Sequence, residues 1–573
     1  MITNEKVHIM QLFGFRAELR TCTKLSKAFL FRDNKYKALN LLSLLLIMES
    51  VKFEPNEGEL PSAYAERLGI YYSQTNELIR KKQMGQFFTP ISVAEFMASF
   101  CSVDEKKVRI LDPGTGIGIL SCTLIEYIIK NHPEVTDIEL TAFEIDENII
   151  SYTDLALNYL NKWVSSKNIS IVHLLCKNDF ILHNSRILNK NSNDELYDII
   201  ISNPPYFKIP SWDSRAQAAK NIICGQSNVY SIFMIVAAKL LTQNGRLIFI
   251  TPRSFTSGRY FKEFREIIFS ILDIKCIHLF AARNKVFERD GVLQENIIIS
   301  ARRKQINNLL QLPLFPVENT INISYSLGIQ DLKKNEIGKY QFDELVEIKS
   351  EQKVLHIPSS NIENSIIRIF KKWTGSFEDY GISISTGPVV DFRNMKFIIS
   401  SNKNGYVPLI YLHNIDKMSF KWPLKKLNKN HEKGQYIEDS NYSKRLVPNN
   451  DYILIRRFSS KDDHSKLVAS PYLSSWLSSY DKIGIENHLN YFYRKNGKLS
   501  IIEIYGISGL LNSKLFDVYF RTFNGNINVS ATELRQIPLP PMEQINAIGN
   551  ELIVMDKFNQ ERIDTVVKKY LIY

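Results

Sequence analysis

Between residues 85 and 300, short apolar runs alternate with stretches of helical period. The runs Val108–Asp112, Ile138–Glu144, Ser170–Leu175, Tyr197–Ser202, Arg246–Ile250, Ile274–Phe280 and Asn296–Ser300 predict strands, with helical segments between most of them. That alternation predicts an α/β domain with a doubly wound, mainly parallel sheet and helices on both faces. Ligands on such a sheet sit at the carboxyl ends of the strands, near the point where strand order reverses. Residues 1–80 carry Leu, Ile and Phe at helical spacing, with a break at Pro61, and predict a helical extension. Residues 301–360 are less regular and read as a connector with some strand, followed by a helix over Ile362–Trp373. From 374 to 540 the texture changes to Asn, Ser, Tyr and Lys with short β-like runs, and one amphipathic helix is predicted over Glu543–Tyr573. The expected organisation is therefore 1–80 helical, 81–305 α/β, 306–373 connector, 374–542 a second, α+β domain, and 543–573 a terminal helix.

Composition narrows the class. The 573 residues are 44% hydrophobic and 23% charged, ordinary for a globular chain of several domains. The formal net charge of +12 fits a polyanionic partner, most often nucleic acid, although solubility alone would account for it equally well. The 6 cysteines never form a CxxC pair, so neither a zinc site nor a disulfide framework is expected, and no metal. Leu41–Met48 is too short to cross a bilayer and too far from the start for a signal peptide. The expectation is a cytoplasmic protein with no membrane segment.

The chemistry concentrates at strand ends. Asn203-Pro204-Pro205-Tyr206 follows the strand Tyr197–Ser202. Two prolines stiffen the loop and leave no N–H to donate. The Asn203 carboxamide and the Pro204 carbonyl then form a pair of acceptors beside an aromatic ring. That set suits a planar group bearing an amine; in isolation, a Pro-rich turn after a core strand would read the same. Asp112-Pro113-Gly114-Thr115-Gly116-Ile117-Gly118 ends the first strand in a glycine turn that lets a ligand approach the backbone. Asp112 would repel a phosphate there and attract a cationic amino or sulfonium ligand. Glu144, at the end of the second strand, stands where a ribose diol is held, and Ile145 can pack on a base face. Asn178-Asp179-Phe180 follows the third strand and is placed to bond an adenine amino group and cover the ring.

With these motifs in this order, the chain resembles the gamma-class, TaqI-like S-adenosylmethionine-dependent adenine-N6 DNA methyltransferases of restriction–modification systems. The resemblance covers about residues 80–300 and implies the Rossmann-like fold of class I methyltransferases. Gly85-Gln86-Phe87-Phe88-Thr89-Pro90 is similar to the motif that covers the methionine end of the cofactor, which assigns Phe88, Thr89 and Pro90 to cofactor binding. The resemblance also assigns Asp112, Pro113, Gly114, Gly116, Gly118, Glu144, Ile145, Asp179, Phe180 and Asn203 to the cofactor. It assigns Asn203, Pro204, Pro205 and Tyr206 to catalysis, with Phe287, after Val286, as a second aromatic on the extruded base. The segments Gly381–Gly387 with Asp391-Phe392-Arg393, and Asn526–Leu534 with Ile537–Pro541, resemble the start and end of a target-recognition domain.

The implied reaction is methyl transfer to adenine N6 of a base extruded from duplex DNA. Asn203 and the Pro204 carbonyl would accept hydrogen bonds from the amino group, and Tyr206 would stack on the base. Asn at the first motif position favours adenine over cytosine N4, whose enzymes usually carry Ser there. Arg456-Arg457 and the tract Lys425, Lys426, Lys429 and Lys433 are the expected DNA contacts, each equally readable as a solvated face. The expected partners are duplex DNA and a cognate restriction endonuclease that need not bind stably, with the enzyme acting as a monomer. Other acceptors that are planar amino groups, RNA guanine N2 or protein glutamine, would fit the same motif. A fused nuclease would need a metal-binding PD…(D/E)xK cluster, which residues 1–80 do not show. A non-catalytic specificity subunit would not need the cofactor motifs.

Overall fold

The computed structural model describes residues 53–75, 88–189, 196–223, 228–280, 295–305, 319–332, 336–348, 350–424, 434–442, 444–459, 464–525 and 528–571. The chain divides into two compact units: Met1–Pro252 with Glu266–Gly338, and Arg253–Arg265 with Lys339–Tyr573. The expected segments 1–80 and 81–305 fall almost wholly in the first. The expected connector 306–373 is divided at Gly338, and the later segments fall in the second.

The first unit is built on one sheet. Its strands are β1 (Lys107–Asp112), β2 (Asp137–Phe143), β3 (Ser170–Cys176), β4 (Tyr197–Ser202), β5 (Leu241–Pro252), β6 (Leu272–Phe280), β7 (Asn296–Arg303), β8 (Thr320–Ser326) and β9 (Glu336–Gln341). They lie in the order β3-β2-β1-β4-β5-β7-β6-β8-β9. Pairing is parallel from β3 through β5 and again between β6 and β8; β7 runs antiparallel to both β5 and β6. This is the doubly wound, mainly parallel arrangement expected from the alternation. Order reverses at β1: the chain steps outward to β3 and then returns to place β4 on the other side, which opens a crevice at the carboxyl ends of these strands.

Burial explains why these runs are strands. Ile110, Leu111, Ile200, Ile201, Leu247 and Ile248 are fully buried, as continuous apolar strands between two helical layers must be. The helix Val229–Lys239 is apolar on nearly every side and is buried almost throughout, so it packs inside the fold rather than on its surface. The expected break at Pro61 falls where the non-helical residues 53–60 give way to the helix Pro61–Thr75, whose first position suits the fixed φ and missing N–H of proline. Cys101, Cys122 and Cys176 form no disulfide among the described residues. No helix among the described residues is long and apolar enough to cross a membrane.

The second unit mixes short antiparallel strands with helices. One four-stranded sheet pairs Ile382–Thr386 with Leu489–Arg494, then Tyr452–Arg456, then Ala469–Tyr472. The start and end of the expected recognition segment meet: the Leu539 N–H donates to the Gly375 carbonyl at 2.8 Å, and the Tyr380 hydroxyl to the Pro540 carbonyl at 2.9 Å. Two elements depart from expectation. The helices Ile501–Asn512 and Lys514–Phe523 stand where only β-like runs were expected. Their local signals are the capping box Ser500–Glu503 and the N-cap Ser513. The terminal helix is two helices, Met542–Ile553 and Gln560–Leu571; the second is started by Asn559, whose Oδ1 accepts the Arg562 N–H at 2.8 Å.

Arg265 is the largest fully buried side chain and holds the segment 253–265 to the rest of the second unit. Its guanidinium donates to the carbonyls of Phe255 (2.9 Å), Ser257 (2.8 Å), Gly258 (3.1 Å) and Gln352 (2.6 Å). Arg265→Leu keeps apolar bulk and strands those carbonyls without donors. It should lower stability by about 3 kcal/mol or more in urea unfolding. A loss under about 1 kcal/mol would show that the carbonyls find other partners.

Candidate functional site

A cavity of about 300 Å³ opens at the carboxyl edge of the first unit's sheet, a volume within the usual range for ligand sites. Its wall brings together Gly114 and Gly116 after β1, Glu144 after β2, Asp179 and Phe180 after β3, and Asn203 after β4. Phe88, Pro113, Ile145 and Pro205 line it as well. Residues far apart in sequence thus converge because consecutive strands of the doubly wound sheet end side by side.

The glycine turn is shaped by its neighbours. Gly116 has φ +55°, and a Cβ there would lie 3.3 Å from the Phe88 ring. Only glycine combines that conformation with so close an aromatic ring. The Thr115 N–H donates to the Phe143 carbonyl at 2.9 Å, tying the turn to the end of β2. Gly118, at φ +93°, then starts the helix Ile119–Asn131. Phe88 meets Tyr72 edge-on, with ring centroids 5.9 Å apart.

The carboxyl groups after the first two strands differ in setting. Asp112 is fully buried behind the turn and does not line the cavity. Its Oδ2 accepts the Ser121 hydroxyl at 2.7 Å, while Oδ1 is buried with no hydrogen-bond partner among the described residues. Burial pushes its pKa up to about 6, against the pull of Ser121, Thr115 and the Gly114 amide. Glu144 faces the cavity. Its Oε1 accepts the N–H groups of Ile145 (2.8 Å) and Asp146 (2.8 Å), and its Oε2 that of Gly116 (3.0 Å). Those bonds favour the ionised form, but burial outweighs them and raises its pKa to about 7. A carboxylate has about four lone-pair sites, so one on Oε2 is left for a ligand hydroxyl. Ile145 is half exposed at the cavity, an apolar surface open to a flat ring. Asp179 caps the short helix Phe180–His183 by accepting the Leu182 N–H at 2.9 Å. Phe180 is buried against Phe143 and Phe233, with centroids 5.3 and 5.1 Å away.

Asn203 is held from two sides. Its Nδ2 donates to the Thr89 hydroxyl at 3.1 Å, and its Oδ1 accepts from the Tyr206 hydroxyl at 2.5 Å. The same Tyr206 hydroxyl lies 2.8 Å from the Ile250 carbonyl on β5. Tyr206 was expected to offer a stacking face. Instead its ring is buried, lies edge-on to Tyr230 at 6.3 Å, and is absent from the cavity wall. What it contributes is the hydroxyl that orients Asn203.

The sequence missed several cavity residues, among them Ile149, Phe207, Arg215, Val229 and Phe233. Phe207 follows Tyr206 on the wall, and Arg215 enters from the short helix Ser214–Ala218. Of the other expected residues, Pro90 precedes the helix Ile91–Ala98 as its N-cap. Pro204 is buried in the loop. Phe287, Lys425 and Lys426 lie outside the described residues. Arg456 and Arg457 are in the second unit and are engaged there. One Arg456 Nη donates to the Ile415 carbonyl (2.5 Å) while its Nε is buried without a partner, and Arg457 donates to the Asn487 carbonyl (3.0 Å). These bonds give the pair a structural part in their own unit, in place of the open forks expected for reading bases. Among the described residues no group of three His, Cys, Asp or Glu is arranged to hold a metal ion.

The chain is similar to known proteins along most of its length. The sequence model of the Eco57I restriction-modification methylase family matches residues 118–287. Type II methyltransferase M.PstI of Providencia stuartii is 30% identical over 507 residues, covering 87% of this chain and 95% of the relative. Type II methyltransferase M.BsuBI of Bacillus subtilis is 30% identical over 509 residues, covering 87% and 96%. Among solved structures, the DrdV–DNA complex aligns with 94% of this chain and 64% of its own at 15% identity, with a TM-score of 0.47. Likeness at 30% identity along nearly the whole of both type II enzymes establishes that this chain belongs to the type II methyltransferases of restriction–modification systems.

Proposed function

We propose that the chain is a site-specific DNA methyltransferase that transfers a methyl group from S-adenosylmethionine to adenine N6 of a base extruded from the duplex. The observation that carries this reading is the Asn203 amide, fixed between Thr89 and Tyr206 on the wall that also holds Glu144 and Asp179.

S-adenosylmethionine, when bound, supplies a methyl group activated on a sulfonium. Glu144 accepts one ribose hydroxyl with the lone pair left on Oε2. Ile145 and Phe180 enclose the adenine of the cofactor, and Asp179 accepts its amino N–H. The unpaired Oδ1 of Asp112 draws positive charge to the glycine turn from behind it. The target amino group is a weak nucleophile because its lone pair is delocalised into the ring. Asn203 Oδ1 and the Pro204 carbonyl each accept one of its N–H groups. Two acceptors on one side favour a pyramidal nitrogen and turn its lone pair toward the methyl group. The residues act by alignment and by dipoles fixed in advance. The net charge of +12 favours a duplex, and phosphate contacts supply most of the affinity. One cavity in one chain suits a monomer acting on host DNA beside a separate cognate endonuclease.

The direct test incubates the protein with labelled S-adenosylmethionine and duplex DNA, then identifies modified nucleosides by mass spectrometry. N6-methyl-2′-deoxyadenosine as the sole modified nucleoside is expected; N4-methyl-2′-deoxycytidine, or label only in RNA or protein, would overturn the acceptor. Asn203→Ala should cut kcat at least a thousandfold, by analogy with removing one preorganised transition-state contact in other enzymes, with S-adenosylhomocysteine affinity within about threefold of normal. Near-normal turnover would remove Asn203 from the reaction. Tyr206→Phe should lower kcat roughly tenfold, the weight of one hydrogen bond, and unchanged kcat would dismiss the orienting hydroxyl. The pH dependence has a definite sign. Glu144 is protonated below about pH 7, and ribose hydroxyls prefer the carboxylate. Calorimetric affinity for S-adenosylhomocysteine should therefore rise as pH increases through about 7, and Glu144→Gln should flatten the profile.

A further inference from the structure

Arg215 is a cation on the wall of a cavity whose proposed occupant carries no phosphate. Its guanidinium is fixed on one side by Asp213: Nε donates to Oδ1 at 2.9 Å and Nη2 to Oδ2 at 2.7 Å. The Asp213 carboxylate also caps the helix Ser214–Ala218 by accepting the Arg215 N–H at 2.9 Å. The remaining Nη1 faces Asp179 Oδ2 at 3.9 Å. The guanidinium carbon also lies 5.4 Å from the centre of the Phe207 ring, within cation–π range, and Phe207 follows the Asn-Pro-Pro-Tyr loop directly.

The distance to Asp179 is informative. At 3.9 Å the pair attracts but is too long for a hydrogen bond, so Oδ2 is steered without being used up. Oδ1 is already committed to the Leu182 N–H. Asp179 thus keeps an acceptor in the cavity, oriented by the helix cap on one side and the Arg215 cation on the other. A fork bound bidentately to Asp213 cannot swing across to close the gap.

We infer that Arg215 is a specificity-determining positioning residue: locked by Asp213, it fixes Asp179 as an acceptor for an exocyclic amine and makes the site select a 6-amino over a 6-oxo purine nucleoside. The inference rests on the proposed assignment of Asp179 to the cofactor's adenine. A 6-oxo base presents a carbonyl to that carboxylate, which leaves both acceptors facing without a proton. Sites built to bond a donor reject ligands that lack it.

The test is isothermal calorimetry with S-adenosylhomocysteine and its 6-oxo analogue S-inosylhomocysteine, on the full chain and on Arg215→Gln and Arg215→Lys. Each variant is first checked for an unchanged melting temperature. The wild type should prefer the 6-amino ligand by tenfold or more. Arg215→Gln should lose most of that preference through weaker binding of the 6-amino ligand, about tenfold, with the 6-oxo ligand little changed. Arg215→Lys, which keeps the charge but not the fork, should recover part of the preference. A wild-type preference that persists in both variants would overturn the bracket and leave the methyltransferase reading intact. A wild type that binds neither ligand would overturn the cofactor assignment itself.

Discussion

Everything in the proposed chemistry depends on the orientation of one amide. Asn203 emerges at the end of a strand buried from Ile199 to Ser202, and the two prolines after it remove both backbone freedom and N–H donors from the loop. Its side chain would still rotate. The Thr89 hydroxyl takes the Nδ2 proton and the Tyr206 hydroxyl donates to Oδ1, so the two ends of the amide are distinguished and its plane is set. The single Tyr206 hydroxyl proton is shared between Asn203 Oδ1 and the Ile250 carbonyl on the neighbouring strand β5. The precision of the site is therefore borrowed from the sheet, whose strands β4 and β5 are parallel neighbours with Ser202 opposite Phe249.

The acids around the cavity are shaped by the same economy of space. Desolvation outweighs favourable hydrogen bonds at Glu144 and at Asp112, and both carboxyls hold protons more tightly than a free acid would. A group in that state gains from any ligand that brings donors or positive charge. An amino-acid nucleoside brings both, whereas a phosphate at the glycine turn would meet Asp112 behind it. Asp179 sits between the N-terminus of a short helix and the Arg215 cation.

Much of this was legible in the sequence. Continuous apolar runs identify strands that are buried on both faces, and the residues just after them must gather at one edge of a parallel sheet. That logic alone brings Gly116, Glu144, Asp179 and Asn203 to one wall. What stayed hidden depended on side-chain direction. Tyr206 reads as an aromatic face, yet its ring turns inward and its hydroxyl carries the function. Arg215 lies in a segment with no periodicity and gains meaning only when Asp213, Asp179 and Phe207 surround it. Arg456 and Arg457 read as an exposed pair, but their backbone partners Ile415 and Asn487 are set by strand pairing that no local pattern reveals. The helices after Ser500 were hidden by a Tyr- and Asn-rich context, although the capping residues were in plain view.

The claim that one oriented amide governs transfer is tested most directly by a double-mutant cycle on Thr89→Val and Tyr206→Phe, read as single-turnover methylation rate at saturating cofactor and DNA. If both hydroxyls act through Asn203, the second substitution should cost much less once the first is present, and the double variant should be slower than the worse single variant by only a small factor. Losses that multiply independently would mean the two hydroxyls act on separate steps and would contradict the account.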